Sequence, residues 1–139
     1  MIVDVNGMVA GRVATKIAKA LIKGETVTVL NAEGAIIVGT KESILDKFKR
    51  RINASVKSNP YYGPKYDRVP SKMFKRTIKG MLPNRSRTVE RLLKNLKVYN
   101  AVPKEFKDKK FDDIGSPKYD ERHDFMTLKE IAHLCGGKW

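Results

Sequence analysis

The chain is poor in the side chains from which most active centres are built. It has one cysteine, Cys135, two histidines, His123 and His133, and one tryptophan in 139 residues. A lone thiol cannot close an internal disulfide, and secreted chains of this size often carry several, so a reducing, cytoplasmic setting is expected. Two histidines and one cysteine are too few for a nitrogen- and sulfur-ligated metal centre. No nucleophile elbow accompanies them, so hydrolase chemistry has no footing. Long apolar runs are also missing: Ala35 to Val38 is typical, far short of the roughly 20 residues a membrane span needs. The opening Met1-Ile2-Val3-Asp4 lacks the basic and apolar regions of a signal peptide. No internal repeat or low-complexity tract is present. Cys135 reads as a small buried apolar residue under the last helix.

Negative charge is scarce where positive charge is dense. The whole chain holds 29 Lys+Arg against 15 Asp+Glu, a net charge of +14, with a pI near 10.0. Residues 1–40 contribute 4 basic and 3 acidic side chains, residues 41–97 contribute 17 and 4, and residues 98–139 contribute 8 of each. Nearly all the excess lies in the middle. A solubility device would be scattered, whereas a block of this kind suits counterion release from a phosphate backbone. A length of 139 residues and 41% hydrophobic content fit one folded domain.

Periodicity places the block on a framework. Ile2 to Val5 reads as a strand, and Asn6-Gly7 precedes a helix with Ala10, Val13, Ala14, Ile17, Ala18 and Leu21 on one side and Arg12, Lys16, Lys19 and Lys23 opposite. Gly24 suits the left-handed position after that helix. Strands follow at Thr26 to Leu30 and Ala35 to Val38. Thr40 is expected to cap a second helix with Ile44, Leu45, Phe48 and Ile52 buried. This order is α/β, and strands so apolar suggest a sheet covered on both faces with parallel pairing. From Asn53 to Pro70 the pattern breaks at Pro60, Gly63, Pro64 and Pro70. A third helix is expected from Pro70 to Gly80, with Lys72, Lys75, Arg76 and Lys79 on one face and Phe74, Ile78 and Met81 opposite. A fourth carries Val89, Leu92, Leu93 and Leu96 beside Arg85, Arg87, Arg91 and Lys94. Lys97-Val98-Tyr99 returns to a strand, Lys104 to Asp124 reads as an irregular arm, and Thr127 with Glu130 forms a capping box before a last helix that stops at Gly136.

Several features admit two readings. Gly7-Met8-Val9-Ala10-Gly11 follows a strand, but its spacing matches neither a dinucleotide fingerprint nor a phosphate loop. Its glycines read as a tight turn and a close helix contact, and a nucleotide-dependent enzyme on a doubly wound sheet is the alternative they leave open. The acidic residues Asp112, Asp113, Asp120, Glu121 and Asp124 could hold magnesium, yet on an irregular arm they read as solvated or paired with lysines. The basic third helix could lie on an anionic membrane, but its apolar face is needed for packing. In the broken loop Tyr61, Tyr62 and Tyr66 alternate with Lys65 and Arg68, where rings can stack on unpaired bases or close over their own domain.

Ordered motifs across residues 4–103 carry a resemblance. They are Asp4, Gly7, Gly11-Arg12-Val13-Ala14, Gly24, Val27, Val29 and Asn31-Ala32-Glu33, then Arg76-Thr77-Ile78-Lys79-Gly80-Met81-Leu82-Pro83, then Leu96-Lys97-Val98-Tyr99 and Pro103. In these the chain resembles the universal large-subunit ribosomal protein number thirteen family, in its archaeal and eukaryotic form. The resemblance implies a three-layer α/β core with a mostly parallel sheet of about four strands flanked by helices. It further implies a structural role on large-subunit ribosomal RNA beside neighbouring ribosomal proteins, and no enzymatic activity. Expected with it are one domain over 1–139, a basic RNA-binding extension at about 53–97 and a mixed-charge arm at about 104–139. One departure is that Asn84-Arg85-Ser86-Arg87 runs straight into Thr88-Val89 without the family's Arg-Gly step, which suggests an earlier helix start. The RNA-binding candidates are Arg12, Lys49, Arg50, Arg51, Tyr61, Tyr62, Lys65, Arg68, Lys72, Lys75, Arg76, Lys79, Gly80, Arg85, Arg87 and Arg91. No cofactor, metal, membrane or small-molecule substrate is expected.

Overall fold

A computed structural model describes residues 1–83, 86–106, 110–115, 118–120 and 122–139, without the side chains of Pro60 and Ser86. The sheet begins with β1 (Ile2–Asp4), and the chain returns through α1 (Ala10–Ile22) to β2 (Val27–Leu30). The buried side of α1 is the expected stripe of Ala10, Val13, Ala14, Ile17, Ala18 and Leu21. Gly24, at φ +91°, takes the left-handed conformation that ends the helix. Then follow β3 (Ile36–Val38), α2 (Lys41–Asn53), α3 (Pro70–Lys79), α4 (Ser86–Lys94), β4 (Leu96–Val98), β5 (Phe125–Thr127) and α5 (Leu128–Leu134). Proline at the first position of α3 loses no helical hydrogen bond there. α4 begins at Ser86.

The architecture is the expected layered α/β core with a mostly parallel sheet. β2 is central, with β1 and β4 parallel on either side. That position explains its apolar run, since all four of its residues are buried. The register puts Val3, Val27, Val29 and Leu96 on one face, where they join a single hydrophobic cluster with α1, Phe74 and Ile78 of α3, and Ile131 of α5. Burying side chains of this size contributes about 1.5–3 kcal/mol each.

The parallel sheet holds three strands. The strand at Ile36–Val38 instead pairs antiparallel with β5, Ile37 opposite Met126. β5 lies in a stretch whose mixed charge gives no strand pattern. Four further expectations are corrected. Leu96 begins β4 rather than closing α4, because the turn at Asn95 brings it opposite Val27. Met81 is 39% exposed while Met73 is buried, since the helix ends at Lys79 and its period no longer governs residue 81. The Thr40 side chain makes no cap hydrogen bond. Cys135 is half-buried beyond the end of α5.

The capping box at Thr127 and Glu130 is present in full, with Glu130 N donating to Thr127 Oγ1 at 3.3 Å and Thr127 N to Glu130 Oε2 at 3.2 Å. Among the described residues no helix is long and apolar enough to cross a membrane. Close approach demands glycine at Gly34, where a Cβ would fall 2.1 Å from Asn6 Oδ1 and 3.2 Å from Asn6 Cα. Gly34→Ala is therefore expected to cost about 1–3 kcal/mol through overpacking, and Thr127→Ala about 1 kcal/mol through loss of the cap. Urea unfolding followed by circular dichroism measures both.

Candidate nucleic-acid interface

The irregular stretch between α2 and α3 is pinned by one aromatic ring. Tyr66 meets the buried Phe48 of α2 edge-on, with ring centroids 6.0 Å apart. On its face lies the Arg76 guanidinium of α3, 4.3 Å from the centroid, with that of Arg51 at 6.0 Å. Arg76 Nη1 also donates to the Lys65 carbonyl at 3.2 Å. At the head of the loop, Asn59 accepts hydrogen bonds from the Tyr61 and Tyr62 amides. Those two rings stand clear, 85% and 84% exposed. The three tyrosines thus divide, one closing over its own domain and two offered to solvent.

Two clefts open on either side of Arg76. The first, about 840 Å³, lies between the first turn of α1, α2, the Pro64–Tyr66 segment and α3, and is bordered by Lys47, Arg51, Lys65 and Arg76. The second, about 660 Å³, is lined by Lys72, Lys75, Arg76 and Lys79 of α3, with Leu93 of α4, Asp67 and Gly80. The expected basic face of α3 is thus present along one groove. Lys72 pairs with Asp67 at 3.4 Å, an exposed contact of small energetic weight.

Other candidates lie apart from these clefts. Arg12 is exposed on α1, and Arg87 and Arg91 are exposed on α4. Arg50 is paired with Asp46 one turn earlier on α2, at the surface. Arg68 turns toward the end of α5, where its carbonyl would stand 2.4 Å from a Cβ at Gly137. With Lys49 it lowers the pKa of Cys135, but burial outweighs both and pushes that thiol above its ordinary value. Arg85 falls outside the described residues. Lys47 was absent from the sequence-based set, although its position one turn before Arg51 and beside the Ile44 and Phe48 stripe was the available signal. For Tyr66 the structure selects the second of its two readings, a ring that closes over its own domain.

The carboxyl ends of the parallel strands hold a smaller crevice of about 300 Å³, lined in part by Asn6, Asn31, Glu33 and Asn100. Two of its polar groups are engaged within the chain: Asn31 Nδ2 donates to Asp4 Oδ1 at 2.9 Å, and Trp139 Nε1 to Glu33 Oε1 at 2.6 Å. Along the order β1-β2-β4 the chain steps in one direction, so these strands lack the reversal at which doubly wound sheets bind nucleotides. Asp112 Oδ2 accepts from the Ile2 amide at 2.7 Å and Asp120 pairs with Arg122 at 2.8 Å. Among the described residues no group of three or more His, Cys, Asp or Glu could hold a metal. Glu121 lies outside them.

The ribosomal protein L13 family matches the chain over residues 1–105. Large ribosomal subunit protein uL13 of Methanosphaera stadtmanae is 37% identical over 139 residues, covering 99% of this chain and 98% of the relative. The uL13 proteins of Saccharolobus solfataricus and Picrophilus torridus are 38% and 36% identical, covering 98% and 96% of this chain and 92% and 95% of their own lengths.

The two roles of α3 cations are separable. Arg76→Gln removes the cover of Tyr66 and the bond to the Lys65 carbonyl, and is expected to cost about 1 kcal/mol. Amide exchange at residues 64–67 should rise with it. Lys79→Gln should leave stability within about 0.5 kcal/mol and exchange in the loop unchanged. Hydrogen exchange read by mass spectrometry distinguishes them.

Proposed function

The chain belongs to the ribosomal protein L13 family, a family of structural ribosomal proteins, and we propose that it is a constituent of the large ribosomal subunit that binds and braces folded large-subunit ribosomal RNA. The observation that carries this reading is the concentration of 17 basic against 4 acidic residues in positions 41–97, many of them bordering the two clefts that meet at Arg76. Lysines of the α3 groove act as point charges on phosphates, and the α/β core is their rigid platform. Tyr61 and Tyr62, both exposed, stack on unpaired bases in this reading. Arg12, Lys49, Arg50, Arg68, Arg87 and Arg91 supply further phosphate contacts around this centre, and Arg85 is a further candidate from its sequence position. Affinity then comes mainly from the backbone of the RNA, with shape recognised more than base identity. Bracing of this kind aids subunit assembly in the cytoplasm and puts neighbouring ribosomal proteins against the remaining surface. No catalytic step is assigned.

Two measurements test this. In a gradient of cell extract at moderate salt, the chain is expected to comigrate with large subunits, and a position at the top of the gradient would overturn the assignment. With purified protein and ribosomal RNA, replacing Lys72, Lys75 and Lys79 together by Gln should flatten the dependence of log K on log salt by about 2–3 units, about one per phosphate contact. An unchanged slope would remove the α3 groove from the interface.

A further inference from the structure

Phosphate contacts account for only part of what lines the first cleft. Its border is cationic, with Lys47, Arg51, Lys65 and Arg76, and no carboxylate stands among its lining residues. Lys47, Arg51 and Lys65 take part in none of the ion pairs among the described residues. Their charge is therefore available to an anion from outside. The floor between them is apolar and open to solvent. Val38 is 37% and Met81 39% exposed, with Ile37 half-buried beside them. An RNA backbone crossing a surface needs the cations but gains nothing from such a floor, whereas a nucleobase needs it. The second cleft differs, since Asp67 stands in its wall and Leu93 is its one apolar residue.

Gly11 supplies an independent observation. It lies within α1 in ordinary helical backbone, where glycine weakens a helix relative to alanine. A Cβ there would meet no heavy atom within 4 Å, so packing inside the chain does not require glycine, contrary to the close helix contact expected from the sequence. Gly11 does line the first cleft. The missing side chain leaves open space in the cleft that Lys47 and Arg51 also line.

We propose that this cleft receives one unpaired nucleotide of the bound RNA, its base on the floor formed by Val38 and Met81 and its phosphate among Lys47, Arg51 and Lys65. The inference rests on the RNA-binding reading above and narrows it to a nucleotide that has left the helical stack. Tyr66 and Arg76 hold the wall in place before the RNA arrives, so little ordering is needed on binding.

The test compares two RNA hairpins of equal length and charge, one with a single bulged nucleotide and one fully paired, binding to the full-length protein at one fixed salt concentration. The bulged hairpin is expected to bind about tenfold tighter, the order of magnitude that burying one base face on apolar side chains contributes. Gly11→Leu narrows the cleft at the position of the glycine without altering any charge. It should remove the preference while leaving affinity for the paired hairpin and its salt slope unchanged. Gly11→Ala should melt at or above the wild-type temperature, as a control on folding. Equal affinity of the wild-type protein for both hairpins overturns the proposal while leaving RNA binding intact, and needs no variant. Binding to neither hairpin at low salt overturns the parent reading as well. Displacement of the bulged hairpin by a free nucleoside monophosphate at comparable concentration would assign the cleft to a small molecule and overturn the strand-bound form.

Discussion

The packing of Arg76 on Tyr66 is the contact on which the basic surface depends. The loop between α2 and α3 has no regular hydrogen-bond ladder of its own apart from the short turn at Pro60–Tyr62. Its cations could occupy many arrangements, at a large entropic cost to any partner that had to select one. A guanidinium 4.3 Å from the ring centroid, tied as well to the Lys65 carbonyl, restricts that freedom. It also divides the surface into two clefts with different walls. Because Tyr66 is braced in turn by the buried Phe48, the interface inherits its rigidity from the hydrophobic core.

The core can bear this because its own charge balance is nearly neutral. Residues 1–40 hold 4 basic and 3 acidic side chains, and the elements they form bury almost wholly apolar surface. Repulsion is confined to the middle of the chain, where solvent and salt screen it in the free protein. Binding a polyanion relieves it. The same separation explains why the family's structural role needs no titratable cluster. Scaffolding requires fixed charge at fixed positions, and lysine and arginine hold that charge across the whole physiological range.

Much of this was legible in order of residues. The α1 stripe repeats at helical spacing, and the six residues named from it are the six that are buried. The capping box at Thr127, proline at the start of α3 and glycine after α1 are signals read within a few residues, and each holds. The basic face of α3 followed from the same period and lines one groove. Failures came where a neighbour distant in sequence decided the outcome. Leu96 is claimed by Val27 across the sheet, and Ile36–Val38 by β5. Lys47 joined the site because residues of α1, α2 and α3 come to line one cleft.

By itself, then, the sequence determined the kinds and positions of the helices, the parallel central strands and the concentration of charge. These follow from local periodicity, turn chemistry and composition, which act over fewer than ten or so residues. Tertiary structure alone decided that Ile36–Val38 would leave the parallel sheet for β5, that one tyrosine of three would become an anchor, and which cations would share a cleft. Those outcomes depend on pairings between segments tens of residues apart, where side-chain chemistry permits many partners and only the packing of the whole core selects among them.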